Sequence, residues 1–155
     1  MSTPAQTPSP GAPDPIWFQL FNEIGIIHQL SSTVFSRVLP APLSLAGFTV
    51  LNHLERLPGD WGPARLARAF QVTKGAMTNT IQRLEAAGLV VLENDGADGR
   101  QKFVRITPEG RAKRREALAR LAPSLSKIDA ALAADDARAM MPTLVTLRTW
   151  LDANR

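Results

Sequence analysis

The sequence predicts a mainly α-helical chain carrying one small β-hairpin. Three observations lead there. Apolar residues recur at helical spacing through most of 16–152. Capping residues and first-turn prolines mark successive helix starts at Asp14-Pro15, Ser44, Pro63, Thr73 and Thr107-Pro108. Two β-rich runs, "LVVLEN" and "QKFVRIT", flank the Gly/Asp-rich "DGADGR".

The elements follow in chain order. Residues 1–15, "MSTPAQTPSPGAPDP", hold five of the chain's 12 prolines and almost no apolar bulk, which predicts a disordered tail. Asp14 as N-cap and Pro15 at the first helical position open a helix that runs to about Leu39. Its stripe is Trp17, Leu20, Phe21, Ile24, Ile27, Leu30, Val34 and Val38, while Ile16, Phe18, Ile26 and Phe35 lie off it. A helix apolar on more than one side packs against more than one partner, and in so short a chain a second subunit is expected to be one of them.

"PAPLS" breaks that helix, and Ser44 caps the next, 45–57, with Phe48, Leu51, Leu54 and Leu57 inward. After the turn "PGDWGP", Pro63 opens a short helix, 63–70, that buries Leu66, Ala67 and Phe70. Gln71-Val72 makes a tight connection, Thr73 caps the following helix, and Gly88 suits its left-handed C-terminal cap. The hairpin tip is longer than a two-residue turn, so it projects from the body. Thr107-Pro108-Glu109 starts a helix expected to reach about Leu132, kinked at Pro123. A last helix covers roughly 135–152, with Met140, Leu144, Leu147 and Leu151 on a stripe.

Composition narrows the function. The chain of 155 residues is 45% hydrophobic, enough for a core. No apolar run approaches the roughly 18 residues of a membrane span, and the N-terminus lacks signal-peptide order. There is no Cys, which excludes disulfides, thiolate zinc sites and thiol redox sensing, and favours the cytoplasm. His28 and His53 lie on different helices without clustered carboxylates, so no metal or other cofactor is expected. No G-x-S-x-G elbow, phosphate loop or zincin motif is present, and an enzyme is not expected.

Charge is localised. Residues 61–115 hold 11 Lys/Arg against 5 Asp/Glu, whereas the rest of the chain holds 7 against 9. A basic segment in a near-neutral chain suggests a polyanion-binding surface. Within it lies "TKGAMTNTIQRL", residues 73–84. Met77, Ile81 and Leu84 fall on one side of that helix and belong to the core. The other side carries Gly75, Thr78, Asn79 and Gln82: small, uncharged and rich in hydrogen-bonding groups.

The order helix, helix, short helix, tight turn, polar-faced helix and hairpin contains a helix-turn-helix followed by a wing. The second helix of such a pair enters the DNA major groove. Small residues allow close approach, Thr, Asn and Gln meet base edges, and a carboxylate-free face avoids repelling phosphates. Lys74 and Arg83 flank the face and suit the phosphate backbone. Thr73 is first an N-cap, and the amides beside it face a phosphate readily. In the hairpin, Asp98 is placed to hold Arg100 at the tip, and Lys102 and Arg105 follow; each of these last two either touches DNA or supports the hairpin.

The stretches "LSLAGFTVLNHLERL", "ARLARAFQVTKGAMTNTIQRLEAAGLV", "DGRQKFVRIT" and "TPEGR" together resemble the MarR family of bacterial winged helix-turn-helix transcription regulators. The resemblance covers about 43–115. It implies a homodimer held by the first, fifth and sixth helices, a pseudo-palindromic double-stranded DNA operator, and often a small-molecule or redox input. Residue by residue it places Lys74, Gly75, Ala76, Thr78, Asn79 and Gln82 at the major groove and makes Arg100 the wing arginine. Relatives commonly carry Arg where Asn79 stands, which bears on base preference. The resemblance also suggests an effector pocket near Trp17, His28 and His53, although ordinary core packing accounts for those residues too. The organisation is therefore a tail (1–15), an N-terminal dimerisation helix (16–42), a winged helix-turn-helix domain (43–107) and C-terminal dimerisation helices (108–155). The expected function is a sequence-specific DNA-binding regulator, a repressor released by a small-molecule effector. The alternative is a winged-helix module that binds another protein.

Overall fold

A computed structural model describes residues 14–94 and 102–154. In order it contains α1 (Ile16–Val38), α2 (Leu45–Arg56), α3 (Pro63–Ala69), α4 (Lys74–Ala86), β1 (Val90–Asn94), β2 (Lys102–Ile106), α5 (Pro108–Leu125), a 3₁₀ turn (Ser126–Ala130) and α6 (Ala134–Ala153). The fold is mostly helical with a two-stranded antiparallel hairpin, paired from Val90–Ile106 at its base to Asn94–Lys102 toward its tip. Asp98, Arg100 and most of the 1–15 tail lie outside the described residues.

Local chemistry fixes the helix starts. Ser44, Thr73 and Thr107 each accept a hydrogen bond from the backbone N–H three residues on, at Gly47, Ala76 and Gly110. α1 begins one residue later than expected, at Ile16, with the Pro15 carbonyl accepting from Gln19 N. Gly88 follows the Ala87 C-cap of α4 at φ +70°, the left-handed conformation that glycine tolerates best. Gln71 also has a positive φ of 53°, at the exit of α3. There Val72 N donates to the Ala67 carbonyl, which closes the turn tightly before α4.

Two expectations need correction. Leu57 is the C-cap of α2 and is 47% exposed rather than inward, because the helix stops at Arg56 and the chain turns away. α5 ends at Leu125 instead of running to Leu132. Pro123 lacks an N–H for the carbonyl four residues back, and the chain relaxes into the 3₁₀ turn three residues later. Pro142 sits inside α6, in its third turn, where Thr146 donates its hydroxyl to the Pro142 carbonyl.

Two compact units divide the chain, with the boundary between Val34 and Phe35 inside α1. In the first, the described part of α1 buries no residue, and Trp17, Phe18 and Leu30 are each more than half exposed. The second unit holds the core. Phe48, Val50 and Leu51 of α2, Leu66 and Ala67 of α3, and Met77, Ile81 and Leu84 of α4 close on Leu89, Val90 and Val104 of the hairpin stem. Ala117 and Leu121 of α5 complete it, so this packing reaches past residue 107. Phe35 and Val38 lie against it. α6 contributes no buried residue, and Met141 and Trp150 stand mostly exposed.

The tightest join lies where α4, β1 and α5 meet. Thr107 Oγ1 donates to the Gly88 carbonyl at 2.7 Å and accepts from Gly110 N at 2.9 Å, while Thr107 N donates to the Leu89 carbonyl. A Cβ on Gly110 would stand 2.1 Å from that Leu89 oxygen. Gly110→Ala must therefore push α5 away from β1, and we expect it to cost about 3 kcal/mol or more in a urea unfolding titration.

Candidate nucleic-acid interface

α4 separates two surfaces. Met77, Ile81 and Leu84 are all under 5% exposed and hold the helix to the core. Thr73, Lys74, Gly75, Ala76, Thr78, Asn79, Gln82 and Arg83 are all exposed. The exposed face contains no carboxylate before Glu85, which lies beyond Arg83 near the helix end. Gly75 is the second helical residue, and a Cβ there would meet nothing within 4 Å. The space beyond it is open, so packing within the chain does not require the glycine. Thr73 spends its side-chain oxygen on the cap to Ala76 N at 3.2 Å, and Thr80, half-buried beside the face, donates to the Ala76 carbonyl.

The hairpin stem is braced from outside. Lys102 is exposed, whereas Arg105 is committed within the chain. Arg105 Nη2 meets Asp60 Oδ1 at 2.6 Å, Nη1 donates to the Gly59 carbonyl at 2.8 Å, and Nε meets Glu93 Oε2 at 3.3 Å. The hydrogen bond it donates to Asp60, and secondarily the one it donates to Glu93, raise the pKa of this guanidinium. Of the two readings left open for Arg105, the structure supports the supporting role.

His53 departs from a plain core histidine. Its ring stands edge-on to Trp61, with centroids 4.2 Å apart, and tilted against Phe70 at 5.1 Å. His53 Nε2 is buried and has no hydrogen-bond partner. Burial, then the positive charges of Arg56 and Arg65, lower its pKa below the ordinary 6.5. These aromatic rings line an open cleft of about 1420 Å³ in the second unit, whose rim carries Arg56, Arg65, Arg68 and Lys74 from α2 to α4, and Arg148 and Asp152 from α6. Arg65 stacks over the Trp61 ring at 4.0 Å. Trp17 and His28, grouped with His53 from the sequence, lie exposed on the α1 portion of the first unit. Among the described residues no group of three His, Cys, Asp or Glu is placed to hold a metal ion.

Comparison with known proteins decides the family. A MarR family model matches residues 42–101, from just before α2 to the residue before β2. The HTH-type transcriptional repressor Rv2887 of Mycobacterium tuberculosis is 34% identical over 110 residues, covering 70% of this chain and 76% of the relative. The chain belongs to the MarR family. Among solved structures, the transcriptional regulator BldR of Sulfolobus solfataricus superposes with a TM-score of 0.70 at 28% identity, over 85% of this chain and 95% of BldR. BpsR of Bordetella bronchiseptica, whose DNA binding is regulated by 6-hydroxynicotinic acid, shares the fold at a TM-score of 0.67 and 24% identity, over 84% of this chain and 98% of its own.

A MarR-family chain of this kind is a DNA-binding transcriptional regulator and not an enzyme. The α4 face was readable from sequence because one helix holds both its core and its outer side. The Arg105 brace and the His53 cluster were not, since their partners come from the turn at 59–61 and from Phe70. The only local hint was an Asp and a Trp packed into the turn "PGDWGP".

The lowered pKa of His53 has a definite sign. The unfolded chain takes up a proton first as pH falls, so the contribution of neutral His53 is complete above pH 6.5 and is lost as pH falls through the lower folded value. Urea midpoints should drop more steeply between about pH 6.5 and pH 5 for the wild type than for His53→Gln. Parallel slopes would contradict the assignment.

Proposed function

We propose that the protein is a homodimeric repressor that binds a pseudo-palindromic operator. The single observation carrying this reading is the α4 surface: core residues on one side, and an exposed, small, carboxylate-free, hydrogen-bonding side flanked by Lys74 and Arg83. In this reading Gly75, Ala76, Thr78, Asn79 and Gln82 approach base edges, and Lys74, Arg83 and the amide end at Thr73 meet phosphates. In the same reading Asp98 and Arg100 belong to the wing, Arg100 serves the minor groove, and Lys102 follows the backbone.

The dimer reading rests on surface that this chain alone leaves bare. No residue of α1 or α6 is fully buried, and they carry Ile16, Trp17, Phe18, Leu30, Met140, Met141 and Trp150 in exposed positions. Apolar surface of this extent marks an interface. The terminal segments 16–42 and 108–155 then serve dimerisation and 43–107 DNA binding, and two copies of α4 reach successive major grooves about one helical turn apart.

The effector reading rests on the cleft at His53. Its orphaned Nε2, the Trp61 and Phe70 rings and the arginine rim suit a small aromatic anion. BpsR, alike in fold, answers to a molecule of that kind. Such a ligand acts by favouring one spacing of the two DNA-binding lobes and shifts the population away from the operator-bound form.

Selection of genomic fragments followed by footprinting tests the proposal, with two protected half-sites centred about 10 base pairs apart as the expected pattern. On that operator, Arg100→Ala should weaken binding of an intact dimer across all sequences. Gln82→Ala should instead narrow the gap between operator and mismatched sites by about 1–3 kcal/mol. Unchanged affinity for Arg100→Ala would remove the wing from the interface, and failure to enrich any DNA would favour a protein-binding winged helix.

A further inference from the structure

The turn between α2 and α3 is bound to the outer edge of the hairpin stem. The Trp61 carbonyl accepts from Val104 N at 2.9 Å, as a third strand would at that one position. The Gly59 carbonyl and the Asp60 carboxylate take two nitrogens of Arg105, and Glu93 on β1 takes the third. The Lys102 carbonyl comes so close to Gly62 that a Cβ there would stand 3.2 Å away. Gly59 has a φ of +140°, which a side chain would resist, so the turn can present its carbonyl and the next carboxylate together.

One guanidinium therefore joins three pieces of chain: the 59–60 turn, β1 and β2. Its members are exposed to solvent, with Asp60 at 62% and Glu93 at 57%. Ion pairs so exposed add little to stability. A planar fork held by three acceptors does, however, fix direction well. It also neutralises a cation at the root of the hairpin.

We propose that Asp60 is a positioning residue for DNA binding: by holding Arg105 it sets the angle at which the hairpin leaves the helix-turn-helix, and so where the wing meets DNA relative to α4. This rests on the reading of α4 and the wing as the DNA interface. The competing role for Asp60 is charge masking alone, and the two differ in sign. Loss of positioning weakens specific binding, whereas unmasking Arg105 strengthens binding to any DNA and steepens its salt dependence.

The test is fluorescence anisotropy of the full-length dimer on its selected operator and on scrambled duplex, over a salt series, for wild type, Asp60→Asn, Asp60→Glu, Arg105→Gln and the Asp60→Asn/Arg105→Gln double variant. Asp60→Asn should lower operator affinity about tenfold while scrambled-duplex affinity stays level or rises, closing the specificity ratio. Asp60→Glu, which keeps the carboxylate, should recover most of the loss. The double variant should be no weaker than Arg105→Gln, because the two residues act as one device. Thermal midpoints should stay close to wild type. Tighter operator binding by Asp60→Asn, an unchanged specificity ratio, or additive losses in the double variant would each overturn the proposal. Arg100→Ala in the same titrations separates the failures: if it too leaves operator binding unchanged, the wing reading falls, and if it weakens binding while Asp60→Asn does not, only the positioning role falls.

Discussion

The meeting of Thr107 and Gly110 with the Gly88–Leu89 backbone is the constraint on which the arrangement of this molecule depends. One hydroxyl satisfies the last turn of α4 through Gly88 and the first turn of α5 through Gly110. The absent side chain at Gly110 lets α5 pass against the Leu89 carbonyl at a distance no Cβ would permit. From that point α4 runs back along the core, β1 runs out toward the wing, and α5 crosses α2. Asn52 and Glu55 of α2 then take Arg114 and Arg111 of α5. The directions of α4, the hairpin and α5 thus share an origin a few residues wide.

Around that origin the chain sorts its chemistry by distance from the core. Apolar side chains from α2, α3, α4 and the hairpin stem fill the centre. Arginines 105, 111 and 114 sit one layer out and are each bonded to a partner within the chain. The α4 face, with Lys74 and Arg83 beside it, is left open. This layering explains why net basic charge alone is a poor guide to the interface. Arg105, Arg111 and Arg114 serve architecture, whereas Lys74 and Arg83 stand exposed on α4.

How much of this was legible in the sequence follows from how local each cause is. The caps at Ser44, Thr73 and Thr107 act over three residues and could be read directly, as could the left-handed glycine at Gly88. The polar side of α4 was legible because Met77, Ile81 and Leu84 orient the helix unambiguously. The extent of α5 was misjudged because apolar spacing continues through Leu125 and Ile128 while the backbone has lost a donor at Pro123. The Asp60–Arg105 brace joins residues 45 apart, and no periodicity announces such a pair. Likewise, the placing of His53 between Trp61 and Phe70 is decided by packing and not by the neighbours of His53 in sequence. Asp98 and Arg100 remain assigned through the family's wing pattern.

The central claim is that two copies of the α4 face and the wing read one operator. It is tested most directly by binding the wild-type protein to DNA from upstream of its own gene and to the operator chosen by genomic selection, with scrambled competitor and a salt series. The account predicts two chains per duplex, binding that survives scrambled competitor, and affinity that falls steeply and log-linearly with salt. Binding to every duplex that scrambled DNA abolishes, or affinity indifferent to salt, would contradict it.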